Sequence, residues 1–150
     1  MDQCIDYMKS ASEVRKEWSS TIDTALREHP VFIQRTRDNL ILLDIATLRL
    51  AFENLRFELI LYPEKDGSVT LVESHLDLVE NAANKDSGID QMIHALRDYA
   101  CDFYSEFALW SKAPNRKSHI PYILKVLSST DDELREDIEI EKGTEGCSVP

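Results

Sequence analysis

One stripe of apolar residues constrains this chain more than any other feature: Ile89, Met92, Ile93, Leu96, Tyr99, Ala100, Phe103, Tyr104 and Phe107. Steps of three and four mark a long helix with one buried face. Ser87 is its expected N-cap, and Ala113-Pro114-Asn115 ends it. Running on to Trp110, such a stripe reads as core rather than as a ligand site. Upstream, residues 57–62 and 68–73 read as strands joined through Glu64-Lys65-Asp66-Gly67, where Asp-Gly favours a tight hairpin. Residues 76–79 suit a third strand, and residues 120–127 a last short helix.

The first third has its own pattern. Ser10 and Glu13 have the spacing of a capping box. Val14, Trp18, Ile22 and Leu26 follow at helical spacing, beside Ala11 and Ala25. His29-Pro30 ends that helix. Val31-Phe32-Ile33 and Leu40-Ile41-Leu42-Leu43 flank a polar segment and predict a β-hairpin. Asp44 is the expected cap of a short helix through Ile45, Leu48, Ala51, Phe52 and Leu55. No repeat of 20–50 residues is present.

With 150 residues, 43% hydrophobic and 30% charged, the chain is long enough to bury a core without disulfide or metal staples. No stretch reaches the ~18 apolar residues of a membrane span, and Met1-Asp2-Gln3-Cys4 lacks the apolar segment of a secretory signal. Cys4, Cys101 and Cys147 are odd in number and dispersed. They fit a reducing cytoplasm, the expected location, and exclude a disulfide framework or cysteine zinc knuckle.

The net charge of −11 taken alone speaks against nucleic acid as a partner. Its distribution is uneven. Residues 61–110 carry three basic and ten acidic side chains, residues 111–127 four basic and no acidic ones, and residues 128–150 two basic and eight acidic ones. The final segment, with isolated Ile138 and Ile140, is expected to be disordered alone or to form a helix only on a partner. Thr130 and Glu133 could cap such a helix, and the acidity suits a basic partner.

Catalytic chemistry finds little support. His29, His75, His94 and His119 have no metal spacing, and the one close carboxylate pattern is His75-x-Asp77. His94 and Cys101 share a helix face about 10 Å apart along the axis, too far for a nucleophile and its base. P-loop, GxGxxG and GxSxG motifs are absent. No catalytic residue, metal or cofactor is expected. Arg15 and Lys16 on the first helix, with Arg35 and Arg37 at the hairpin, read either as solvated charges or as contacts to phosphate and base. The basic run 112–119 reads as helix-terminal cations leading into the next helix.

Ser12-Glu13-Val14-Arg15-Lys16-Glu17-Trp18, followed by His29-Pro30-Val31-Phe32-Ile33-Gln34-Arg35, resembles the N-terminal module of Phd/YefM-type antitoxins. Ala113-Pro114-Asn115-Arg116-Lys117-Ser118-His119-Ile120-Pro121-Tyr122 resembles a longer bacterial group of antitoxins of RelE/RelB toxin–antitoxin systems. Residues 57–110 resemble a HicB-like sheet-and-helix module. The resemblance implies an α+β chain in which a Phd/YefM-like helix–β-hairpin–helix module over residues 1–56 dimerises and binds DNA. A small HicB-like antiparallel sheet with a long helix follows over 57–127, then an acidic, flexible tail over 128–150. It further implies a type II antitoxin that is not an enzyme, neutralises a small basic RelE-like mRNA-cleaving toxin, and represses its own promoter as a homodimer on operator DNA, away from any membrane. Arg15 and Arg35 match the family's DNA-contacting arginines, with Lys16 and Arg37 as neighbours. Asn115, Arg116, Lys117, Ile138 and Ile140 are the expected toxin contacts. The rival expectation is an immunity or adaptor protein with no DNA role, in which Arg15 and Arg35 would be dispensable.

Overall fold

The computed structural model describes residues 7–144. The chain divides into two compact units, Met1–Ala51 and Phe52–Pro150, each mixed α and β.

In the first unit, β1 (Met8–Ser10) leads into α1 (Ala11–Lys16) and α2 (Trp18–Arg27), then β2 (Val31–Arg35), β3 (Asp38–Leu42) and α3 (Ile45–Ala51). The capping box forms: the Glu13 amide donates to Ser10 Oγ at 3.2 Å, and the Ser10 amide to Glu13 Oε2 at 2.9 Å. β1 lies parallel to β2, with Met8 beside Phe32, and β2–β3 is an antiparallel hairpin whose turn residues are Thr36 and Arg37. The parallel strand precedes the expected helix–hairpin–helix order, in the stretch 1–9 where the sequence leaves an extra strand open.

One expectation for this unit is corrected. The stripe from Val14 to Leu26 predicts a single continuous helix, but the backbone breaks at Glu17 (φ −112°, ψ 34°), far from helical ψ. The break rotates the second segment. Thr21 and Ala25 become buried, while Trp18 and Leu26 stay 55% and 59% exposed. The unit's core is small, built on Val14, Ala25, Val31 and Ile33.

The second unit opens with the meander β4 (Phe57–Pro63), β5 (Val69–Glu73) and β6 (Leu78–Ala82). Gly67 turns the first hairpin at φ 87°, the left-handed region that glycine enters without steric cost. The long helix α4 (Lys85–Ser105) is capped by Asn84, whose side chain accepts from the Ser87 amide, so the cap lies three residues before the one expected. Gly88 lets this helix close on the sheet, since a Cβ there would sit 2.7 Å from Leu71 Cδ1. Met92, Leu96, Ala100 and Phe103 are fully buried with Phe57, Leu59 and Leu71, so the stripe is core except at Tyr104, which is exposed.

After α5 (Phe107–Trp110) and a 3-10 turn (Lys117–His119) come α6 (Ile120–Ser128), α7 (Asp131–Glu136) and β7 (Ile138–Lys142). The expectation of an acidic segment disordered alone differs here. Thr130 and Glu133 do form a capping box, but the helix is part of the unit's own fold, with Leu134 fully buried. β7 pairs in parallel with β4, Phe57 beside Ile138 and Leu59 beside Ile140. The sheet is therefore mixed, in the order β6-β5-β4-β7, rather than antiparallel. Alternation supplies the reason: Ile-Glu-Ile-Glu sends each isoleucine toward the apolar side and each glutamate toward solvent.

Candidate functional surfaces

Two of the four candidate DNA contacts come together in the first unit. Arg15 projects from α1 and Arg35 ends β2, and both line an open cleft of about 610 Å³ with Ser10, Ser12, Gln34 and Thr36. Both also border an apolar groove of about 410 Å³ with Val14, Trp18 and Leu40. Lys16 and Arg37 are exposed and line neither. Thr36, at the tip carrying Arg35 and Arg37, holds φ 56°, a left-handed conformation that is unusual for a β-branched residue. Glu13 stays ionised beside the cleft, because hydrogen bonds from the Ser10 amide and hydroxyl hold its carboxyl below the usual range.

Sequence reasoning did not foresee how much apolar surface this unit exposes. Tyr7, Trp18, Leu26, Phe32, Leu40, Ile41, Ile45 and Leu50 are all solvent-accessible. The signal lay in β3, where Leu40 and Ile41 are adjacent and therefore point to opposite faces of an edge strand.

In the second unit the basic segment divides. Asn115 and Lys117 are exposed. Arg116 is held internally: its Nη1 donates to Tyr99 Oη at 2.8 Å, and its guanidinium lies 4.5 Å from the Trp110 ring centroid. The Tyr99 hydroxyl also lies 2.6 Å from His119 Nδ1. Burial lowers the pKa of His119; Asp77 and Glu73 oppose this, and the Arg116 charge adds to it. Ile138 and Ile140 are half-buried against the core, leaving Glu139 and Glu141 as the outward side chains of β7.

His75 pairs with a residue the sequence did not single out. Its Nδ1 lies 2.9 Å from Oε1 of Glu73, which is fully buried, rather than bonding Asp77. Glu73 Oε2 also accepts the Leu76 amide at 2.7 Å, and His75 stacks on Tyr122 at 4.8 Å. His94 Nδ1 meets its own helix at Asp90 O, 2.8 Å away, and Cys101 is exposed. Among the described residues no group of three or more His, Cys, Asp or Glu could hold a metal ion, and no helix is long and apolar enough to cross a membrane. Cys4 and Cys147 lie outside the described residues.

Comparison with known proteins places this geometry. Over 91% of this chain and 99% of the other, the structure is similar to the crystal structure of an antitoxin part of a proposed toxin/antitoxin system from Syntrophomonas wolfei subsp. wolfei, with TM-score 0.86 and 33% identity. No curated protein matches the chain. The PHD-like family, described as antitoxin of toxin–antitoxin, RelE/RelB, TA system, matches residues 6–140. The chain belongs to this antitoxin family, which implies a toxin as its partner.

Proposed function

We propose that the protein neutralises a small, basic, RelE-like mRNA-cleaving toxin and, as a homodimer, represses its own promoter. The observation that carries the DNA-binding half is the shared cleft of Arg15 and Arg35. Two guanidiniums beside one open cleft can fork onto phosphate or guanine in a way scattered surface charges cannot. The Phd/YefM-like reading of residues 1–56 rests on the same residues.

The homodimer is supported by the exposed apolar side chains of the first unit, which outnumber its buried ones. Tyr7, Phe32 and Ile41 adjoin one another, and contiguous exposed apolar surface marks interaction sites. Toxin binding is assigned to the second unit because its acidity suits a basic partner. Asn115 and Lys117 are available to that contact. The HicB-like reading of residues 57–127 adds nothing to this assignment, and no chemistry is required of the protein.

The test combines two measurements. Size-exclusion chromatography with light scattering is expected to give twice the chain mass, and a fluorescently labelled fragment of the protein's own promoter should be retarded in a gel. A monomer that leaves the fragment free, with and without toxin, favours the adaptor reading.

A further inference from the structure

The sheet of the second unit has two faces of opposite character. Phe57, Leu59, Leu61 and Leu71 are buried against the helices. The alternate residues look the other way. Val79 lies beside Val72, Val72 beside Ile60, and Ile60 beside Glu141, so one row crosses all four strands. None of these aliphatics belongs to the core, and Val79 is 49% exposed.

The margin of this face is acidic in a way stability does not explain. Glu58 stands directly beside Glu139 on the neighbouring strand, and like charges so placed are destabilising. Arg56 Nε at 3.6 Å from Glu139 offsets this only in part. Glu141 extends the charge along the same strand.

We propose that this outward face, an aliphatic row bordered by Glu58, Glu139 and Glu141, is the surface on which the protein docks its toxin, meeting a basic surface with an apolar centre. The inference rests on the reading of that toxin as basic. It moves the contact from a folding tail to a preformed sheet, so binding carries no large ordering cost. A second copy of the chain does not suit the face, because the same face of a copy carries the same three glutamates and offers them no basic complement. Nucleic acid is disfavoured by the same charge.

The probe is the protein that co-purifies with the wild-type chain from its native cells, identified by mass spectrometry and then prepared as a defined protein. Its binding to the wild type is compared with that of Val79→Lys, Val79→Ala and Glu141→Lys, all at exposed positions. Val79→Lys is expected to raise Kd about 100-fold and Val79→Ala about fivefold, while Glu141→Lys slows association about tenfold at low salt and less at high salt. Unchanged Kd and association rate in all three variants, with the wild type still binding, would overturn the docking surface and leave the antitoxin reading intact. Failure of the wild type to yield any basic partner would overturn that reading and the docking surface with it.

Discussion

Lys125 Nζ lies 3.0 Å from Asp137 Oδ2, and the two side chains are only 4% and 18% exposed. The same ammonium donates to the carbonyls of Phe52, at 3.1 Å, and Leu55. Arg56 Nη1 reaches the other Asp137 oxygen at 2.7 Å. The start of the unit, helix α6 and the α7–β7 junction are thus tied by one charge network.

Lys125→Met removes the only ammonium of this network and leaves Asp137 short of a partner. Breaking one side of a buried pair costs about 3 kcal/mol or more, so Tm should fall on the order of 10 °C. Calorimetry checks this, and a fall below about 2 °C would show that Arg56 alone satisfies Asp137.

Truncation after Leu127 is expected to unfold the second unit rather than remove an independent inhibitory tail, because Leu134 is fully buried and β7 completes the sheet. Leu134→Ala alone should cost about 2–5 kcal/mol. Urea denaturation followed by far-UV circular dichroism measures both, and a truncated chain that still unfolds cooperatively near the wild-type midpoint would contradict the expectation.

Arg15→Ala and Arg35→Ala should each weaken operator binding and reduce its salt slope by about 1 if each neutralises one phosphate. Lys16→Ala and Arg37→Ala, outside the cleft, should have smaller effects. Titration of labelled operator at several salt concentrations separates these cases. Equal losses in all four variants would point to diffuse attraction instead of the cleft.

Acidification should destabilise the protein through His119. Its folded pKa is held below 6.5 by burial, which together with Arg116 outweighs the opposing pull of Asp77 and Glu73, so the unfolded chain takes up a proton that the folded chain resists. This stabilising contribution is complete above pH 6.5 and declines as pH falls below it. Unfolding free energies at pH 7.5 and 5.5 should differ more in the wild type than in His119→Gln, and equal differences would assign the pH dependence to other groups.

The features legible in the sequence are those set by neighbours along the chain. Ser10 with Glu13, and Thr130 with Glu133, announce their capping boxes because three-residue spacing alone brings the groups together. Asp66-Gly67 marks its turn because only backbone φ is at stake. Arg15 and Arg35 stand in local motifs 20 residues apart, and the fold sets both beside one cleft.

Illegible were the relationships between residues far apart in sequence. Arg116 reads as a free basic residue until Tyr99 and Trp110 lie against it. Glu73 reads as an ordinary strand glutamate until the β5–β6 turn folds the Leu76 amide onto it. The composition of residues 128–150 argues for disorder, because composition averages over a period-two pattern only five residues long.

By itself the sequence determined the two capping boxes, the Asp66-Gly67 turn, the Val31–Leu42 hairpin and the division of charge, since each depends on backbone geometry and side-chain spacing over a few residues. Only the tertiary structure decided that Ile138-Glu139-Ile140-Glu141 is a strand with an apolar and an acidic face. That outcome depends on β4, some 80 residues earlier, supplying backbone partners to one edge and buried Phe57 and Leu59 beside the two isoleucines.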